Sequence, residues 1–504
     1  MQIDRVQNSK RNIIWGFIGR IGTLILPFVL RTVMVYTIGE AYLGLSSLFT
    51  SMLSMLSLAE LGLGSAMVFY MYKPVAEEKL DEICALLKLY RNLYRIIGTI
   101  VLVIGLCFIP FLDKLISGSY PENINLVALY VIYLVDTVVS YGLFSYRQSL
   151  LIVYQRSDVL YKIQLLTNTG LYMFQILVLL LFKNYYVFII FKPIFTLLNN
   201  IFILYTTRKL YPEYECKGSV SKEKIKEIYN KVKALAGHKI GTTVITSADS
   251  IVISAFLGLT MVARYGNYYT IISAVISVMG MVINSILAGV GNGLVVGSIE
   301  ENYKLFNNLN YGIMWIVSWC SICFMCLFQP FMKIWVGENM LLPMSSVVLF
   351  VLYYYSWQCR VCVLLFKDAA GQWNADFWKP YVSAGLNMIL NILLVKTIGF
   401  NGVLISTIIT MIFVNIPWET HVLFKNVFKR SEKEYYIRQL SFAIKVIFVG
   451  SFTYFICQRI TCYGIKGFLV KCIMVTIIPN FIFVILALKQ SEFDFIKRIM
   501  FHTR

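Results

Sequence analysis

Residues 51–67 read SMLSMLSLAELGLGSAM, an apolar stretch of small and branched side chains that contains one carboxylate, Glu60. The surrounding run from 41 to 71 is long enough to cross the roughly 30 Å of hydrocarbon in a bilayer as a helix. A charge inside such a helix costs at least about 2.5 kcal/mol to insert, so it should face a partner or a wet cavity. The stretch therefore predicts a membrane-spanning helix with a paired or functional acid inside it.

The same apolar pattern recurs along all 504 residues, of which 58% are hydrophobic and 14% charged. The alternation of a membrane β-barrel is missing, so helices must satisfy the backbone. We predict an all-α polytopic membrane protein with about fourteen transmembrane helices. The first run follows a polar leader and lacks a small-residue cleavage site, which predicts a retained span. The predicted spans are 12–38, 41–71, 90–116, 125–152, 163–182, 184–207, 236–258, 265–290, 309–335, 343–366, 379–397, 400–423, 438–458 and 466–489.

Lysine and arginine set the expected orientation of these spans. If the N-terminus is cytoplasmic, most of the 45 basic residues fall on inner segments, as the positive-inside rule requires. Both termini are therefore predicted to be cytoplasmic. The net charge of +19 is explained by this orientation and by attraction to anionic membrane lipids, and it does not indicate nucleic-acid binding.

Two halves of the chain echo each other at an interval of about 220 residues. TIGEAYLG at 37–44 follows the first predicted span as FLGLTMVARYGN at 256–267 follows the seventh. Six spans per half put both halves in the same orientation, which is a parallel repeat about an axis along the membrane normal. The predicted parts are an N-lobe of spans 1–6 (1–210), a basic amphipathic connector (211–235), a C-lobe of spans 7–12 (236–430), and spans 13 and 14 with a cytoplasmic tail (431–504).

The first span carries two arginines that share one helical face. Arg20 and Arg31 are eleven residues apart, or three turns and about 16 Å along the axis. Arg20 is expected at a depth that lets it pair with Glu60, which is the structural alternative for both residues. Arg31 has no such predicted partner. Two guanidinium groups on one face favour a cavity that binds an anion, since guanidinium binds phosphate in bidentate fashion.

Four further charges fall inside predicted spans. Lys192 and Arg360 add a cation to each half, whereas Asp136 and Asp249 are the remaining acids expected nearest the membrane centre. Each alone is also explained by local pairing or by snorkelling to the interface. Together the cations predict a substrate-binding cavity made by Arg20, Arg31, Lys192 and Arg360. Glu60, Asp136 and Asp249 are candidates for pairing or for binding a coupled proton or sodium ion.

Several stretches resemble the Wzx-type polysaccharide flippases of the multidrug/oligosaccharidyl-lipid/polysaccharide exporter superfamily. They are LPFVLRTVMVYTIGEAYLGLSSLF (26–49), LSLAELGLGSAM, YKPVAEEKLDEICALLKLYRNLYRIIG (72–98), AGVGNG (288–293) and PFMKIWVG (330–337). The resemblance implies a transporter of two six-helix lobes plus two helices. It implies a cargo of undecaprenyl-diphosphate-linked oligosaccharide, moved from the inner to the outer leaflet of a bacterial cytoplasmic membrane for capsule, exopolysaccharide or O-antigen assembly.

The resemblance also implies a cationic cavity, to which Arg20 and Arg31 correspond here, and partners among the polysaccharide polymerase and export machinery. A lipid II or multidrug exporter of the same superfamily is the alternative. A membrane glycosyltransferase or polymerase is disfavoured because the predicted outer loops are too short to carry catalytic groups. No catalytic residue, metal site or cofactor is expected, apart from the coupled ion left open above.

Overall fold

The computed structural model describes residues 5–57, 62–460, 464–488, 490 and 492–494. In this part of the chain every regular element is a helix, so the all-α prediction is confirmed. The α-helices are α1 Arg5–Thr37, α2 Glu40–Leu56, α3 Leu63–Ala76, α4 Leu80–Phe108, α5 Leu126–Gly142, α6 Gln148–Val153, α7 Ser157–Phe182, α8 Tyr185–Leu210, α9 Lys222–Leu257, α10 Leu259–Val296, α11 Ile299–Val336, α12 Met344–Gln358, α13 Val361–Ala369, α14 Lys379–Ile398, α15 Phe400–Thr410, α16 Ile416–Leu423, α17 Lys433–Gln458 and α18 Gly464–Ala487. Single 3₁₀ turns lie at Ile109–Leu115, Ser145–Arg147 and Glu338–Met340, and π-helical segments lie at Met411–Asn415 and Phe424–Phe428.

Among the described residues, 11 helical segments are long and apolar enough to span a membrane, or 12 if one bent pair counts as a single span. The protein is therefore a multi-pass membrane protein. Two of the predicted fourteen spans fall outside this set. The second contains residues 58–61, which lie outside the described residues, and the seventh is represented by the shorter apolar helix Thr243–Leu257. The count of fourteen stays a prediction.

The chain divides into two compact units, Met1–Ala263 and Arg264–Arg504. In the first, α1 packs on α7, α7 and α5 pack on α8, and α2 packs on α9. α2 also approaches the start of α10 closely because residue 44 is glycine: a β-carbon there would overlap the backbone of Leu259, the first residue of α10. Buried tyrosines fill the centre of this unit and satisfy their hydroxyl groups, as Tyr130 does by donating to the carbonyl of Gly105 at 3.0 Å.

The second unit is organised around α11, which packs against α12, α17 and α18. Two tryptophans of α11 fix the last helix: the indole N–H of Trp315 donates to Asn480 at 2.8 Å, and that of Trp319 donates to the carbonyl of Val475 at 3.0 Å. α17 and α18 correspond to the two helices predicted outside the repeat. Their contacts with α11 make them an integral layer of this unit.

The predicted connector helix and the predicted seventh span form one continuous helix, α9. Its first turn is capped by Ser221, whose hydroxyl accepts from the backbone N–H of Lys224 at 3.3 Å. No proline interrupts the sequence between Lys222 and Leu257, which explains why the amphipathic part continues into the apolar part. The division between the two units comes after this helix, at Ala263, whereas the predicted N-lobe ends at 210.

Candidate functional site

α1 is attached to the start of α7 by side-chain hydrogen bonds. The Asn12 amide donates to the carbonyl of Gln155 at 3.0 Å, and its oxygen accepts from the backbone N–H of Asp158 at 2.6 Å. Further along, a β-carbon at Gly16 or Gly22 would lie 3.2 Å or 2.9 Å from side chains of α7. This glycine face lets the two helices approach closely, as small residues do between membrane helices.

The two arginines of the predicted cavity lie further along α1, and Arg20 is one turn beyond Gly16 on the same side of the helix. Arg20 is exposed and Arg31 is half-buried. At 3.6 residues per turn they stand nearly above one another, about 16 Å apart along the axis. α1 thus packs on α7 through its glycines and also carries two permanent cations.

The predicted acids of this unit have different surroundings. Glu60, the expected partner of Arg20, lies outside the described residues. Asp249 on α9 is fully buried, with the buried hydroxyl residues Ser247 and Ser250 beside it in the sequence. Asp136 on α5 is also buried.

Lys192 and Asp136 form an ion pair inside the N-terminal unit. The Lys192 ammonium lies 3.2 Å from one carboxylate oxygen, and the hydroxyl of Thr196 donates to the other at 2.6 Å. The ammonium also lies over the ring of Tyr133, 4.9 Å from its centroid. Its charge is thereby matched locally, so Lys192 does not add an uncompensated cation to this unit.

Arg360 is neutralised in a similar way in the C-terminal unit. It lies at the break between α12 and α13, 8% exposed, and its guanidinium donates to the fully buried carboxylate of Glu419 at 2.5 Å. Its guanidinium carbon lies 5.3 Å from the ring centroid of Trp357. The ammonium of Lys379 contacts the same carboxylate oxygen.

This pair is part of a larger buried cluster of charges. Lys367 lies 2.7 Å from Asp376, and Lys379 lies 3.5 Å from the same carboxylate. All five groups are less than 9% exposed, and the cluster has three cations and two anions. Isolated buried charges are strongly unfavourable, whereas paired and hydrogen-bonded ones are tolerated. The cluster therefore joins α12–α13, α14 and α16, with Glu419 at its centre.

Sequence reasoning found only Arg360 in this cluster. Glu419 lies inside the predicted twelfth span, 400–423, so its position alone was a signal for an intramembrane acid. Lys367 and Asp376 lie in the predicted loop between spans ten and eleven and carried no such signal. The structure brings them inside because the turn at 370–378 folds back so that Asp376 accepts from Lys367 near the end of α13.

A ladder of polar side chains continues from the cluster between α14 and α15. Asn387 donates to the hydroxyl of Thr407 at 3.0 Å, and Asn391 donates to the side-chain oxygen of Asn387 at 3.2 Å. Ser406 donates to Asn391. All four are fully buried, so they satisfy one another in place of water. This ladder aligns α14 with α15, the first part of the continuous helical segment Phe400–Phe428 that carries Glu419.

One protein-family model matches more than half of the chain. The family model described as "Polysaccharide biosynthesis protein" matches residues 9–288. The comparison with curated protein sequences gives no significant match.

The fold is similar to that of solved flippases and exporters. A lipid II flippase MurJ, in an inward closed conformation, matches with a TM-score of 0.68 and 16% identity over 94% of this chain and 98% of that one. An inward-facing multidrug resistance MATE transporter of the MOP superfamily matches with a TM-score of 0.59 and 15% identity over 81% and 97%. The Vibrio cholerae MATE transporter VcmN, in the bent form, matches with a TM-score of 0.53 and 13% identity over 85% and 100%.

Proposed function

The chain belongs to the polysaccharide biosynthesis protein family, and from this we propose that it is a flippase for undecaprenyl-diphosphate-linked oligosaccharides. It moves these lipids from the inner to the outer leaflet of a bacterial cytoplasmic membrane by alternating access. The fold similarity to a lipid II flippase and to exporters supports transport over catalysis. Polysaccharide polymerase and export machinery would take up the product.

The observation that carries this proposal is the pair of arginines on one face of α1. Both are permanently charged and lie about 16 Å apart along one helix, whereas Lys192 and Arg360 each contact a carboxylate, at 3.2 Å and 2.5 Å. A diphosphate cannot enter hydrocarbon without groups that replace its hydration, and arginine does this with paired N–H donors. The lipid tail can remain in the bilayer while the headgroup crosses.

The membrane potential favours this direction of movement. Outward transfer of a negative charge across a membrane with an inside-negative potential is favourable by roughly 2.3 kcal/mol per charge per 100 mV. Transport can therefore run on the potential, with or without a coupled proton or sodium ion. Asp249, which is fully buried in the apolar part of α9, is a candidate for binding such an ion.

The test is export by Arg20→Ala and Arg31→Ala variants in a strain that lacks its polysaccharide flippase. We expect loss of surface polysaccharide with normal amounts of protein in the membrane. Arg459→Ala is the matched control, since Arg459 is an exposed arginine at the end of α17, outside the predicted cavity. Normal polysaccharide in both α1 variants would contradict the assignment of the cavity.

The second candidate is a lipid II flippase, favoured by the structural match to MurJ. Both cargoes carry a diphosphate, so the arginine variants do not separate them. Complementation does: the proposed function requires rescue of a strain lacking its oligosaccharide flippase, and rescue of a strain lacking its lipid II flippase would favour the alternative.

A further inference from the structure

Four arginines surround one pocket of about 550 Å³ at the predicted cytoplasmic end of the N-terminal unit. Arg91 and Arg95 come from α4, Arg147 from the 3₁₀ turn after α5, and Arg208 from the last turn of α8. The one carboxylate that lines the pocket, Glu215, is exposed and lies 3.7 Å from Lys217. The lining therefore carries a clear excess of positive charge.

Arg147 is the buried member of this group. It is 6% exposed, and one terminal nitrogen donates to the carbonyl of Tyr214 at 3.3 Å. Within the described part of the chain, its Nε and other terminal nitrogen have no hydrogen-bond partner. A buried charge with unsatisfied donors is strongly unfavourable unless an anion supplies the acceptors.

The C-terminal unit offers a direct comparison. Its tenth predicted span is the counterpart of the fourth in the predicted repeat. This span is also interrupted near a buried arginine, Arg360, between α12 and α13. There the charge is matched by Glu419 at 2.5 Å. Arg147 has no carboxylate at hydrogen-bond distance among the described residues. The buried arginine near the break is thus matched by a carboxylate in the C-terminal unit, whereas Arg147 contacts only a backbone carbonyl by hydrogen bond among the described residues.

The backbone at Arg147 is shaped to hold this position. α5 and the helical segment Ser145–Val153 meet at an angle of 44°. Phe144, at the bend, has φ 64°, a left-handed conformation that costs a bulky residue free energy. The bend places Gly142, Phe144 and Arg147 together on the wall of the pocket.

An apolar groove begins where the pocket ends. Arg95 lines both, and the groove continues along α4 over Ile96, Ile100, Val103 and Ile104, with a volume of about 420 Å³. The isoleucine and valine side chains are exposed. From Arg95 to Ile104 the helix rises about 13.5 Å, roughly half of a 30 Å hydrocarbon layer. A cationic pocket thus leads into a groove one leaflet deep.

We propose that this pocket and groove bind one anionic phospholipid of the inner leaflet. The phosphate accepts hydrogen bonds from Arg147 and contacts the other three arginines, and one acyl chain lies along α4. Basic pockets between membrane helices on the cytoplasmic side are suited to such headgroups. A free phosphate would leave the groove empty, and a polyprenyl chain is much longer than the groove.

The test is native mass spectrometry of the full chain in detergent with dioleoyl phosphatidylglycerol or dioleoyl phosphatidylcholine. We expect the wild-type chain to retain phosphatidylglycerol. The double variant Arg95→Gln with Arg208→Gln should bind this lipid roughly thirtyfold more weakly, because each basic group contributes about 1 kcal/mol to binding an anionic lipid. Both arginines are exposed, so the fold should survive, which melting temperature checks. Lys73→Gln with Lys209→Gln is the control, removing two exposed cations outside the pocket.

Two further arms separate the sources of the phosphate. Val103→Trp fills the groove and should also weaken phosphatidylglycerol retention, whereas added inorganic phosphate should not displace the lipid. Equal losses of phosphatidylglycerol retention in the Arg95→Gln/Arg208→Gln and Lys73→Gln/Lys209→Gln variants would overturn the proposal. So would displacement by inorganic phosphate with no effect of Val103→Trp, or preference for undecaprenyl phosphate over phosphatidylglycerol.

Discussion

At the scale of single residues, the charges inside the membrane differ in whether the protein itself matches them. Lys192 and Arg360 each contact a carboxylate, at 3.2 Å and 2.5 Å. Arg147 lines a pocket and has two donors without a hydrogen-bond partner among the described residues. The residue type alone does not distinguish these cases, because the partner depends on which helices meet.

Glu419 gives the clearest prediction at this scale. Glu419→Gln leaves Arg360 and Lys379 buried without their shared anion, and we expect a loss of about 3–5 kcal/mol in stability. Thermal unfolding of the detergent-solubilised protein measures this. Glu300→Gln is the control: Glu300 also contacts an arginine, Arg430, but is exposed, so its loss should cost less than about 1 kcal/mol. Equal effects of the two substitutions would contradict the cluster.

The sequence allowed Arg360 to be singled out, because a cation in a predicted span is rare enough to be conspicuous. The sequence alone did not predict the other members of the buried charge cluster. Asp376 and Lys367 come from a segment that hydropathy assigns to a loop, and only the fold of the turn at 370–378 buries them. Arg147 was missed because it lies near the inner end of its predicted span, where basic residues are expected.

At the scale of elements, α14 and α15 are held together by polar side chains instead of apolar packing alone. Asn391→Leu removes one acceptor of Ser406, whose hydroxyl also contacts the carbonyl of Val403, and removes the donor to the buried side-chain oxygen of Asn387. We expect a loss of about 1–3 kcal/mol for such unsatisfied groups, measured by thermal unfolding. Thr397→Leu, on the exposed face of the same helix, should change stability by less than about 0.5 kcal/mol. A larger effect of Thr397→Leu would argue against the ladder.

Hydropathy predicts where helices occur better than it predicts the residues at which they begin and end. The ninth span is predicted from 309, yet α11 begins at Ile299, where Ser298 and Glu301 form a reciprocal capping box. The backbone N–H of Ser298 donates to Glu301 at 2.8 Å, and that of Glu301 donates to the Ser298 hydroxyl at 3.2 Å. Hydropathy detects only the apolar part of a helix, whereas capping and propensity extend it through the polar interface.

At the scale of the whole molecule, the orientation in the membrane is still a prediction from charge. An epitope inserted after Ser219, in the loop before α9, should be detected only in permeabilised cells. One inserted after Tyr120, in the loop before α5, should be accessible in intact spheroplasts. The physical reason is the concentration of lysine and arginine on the first side. The reverse pattern would contradict the predicted orientation and place the four-arginine pocket on the outer face.

The continuity of α9 has a mechanical consequence. A 36-residue helix is about 54 Å long, and without a hinge it acts as a lever arm. A tilt of about 10° at one end displaces the other by roughly 9 Å. Asp249 lies in the apolar part of α9, and Lys222 is the first residue of its polar part. A rearrangement around Asp249 is therefore amplified at Lys222, where a spectroscopic label can record it.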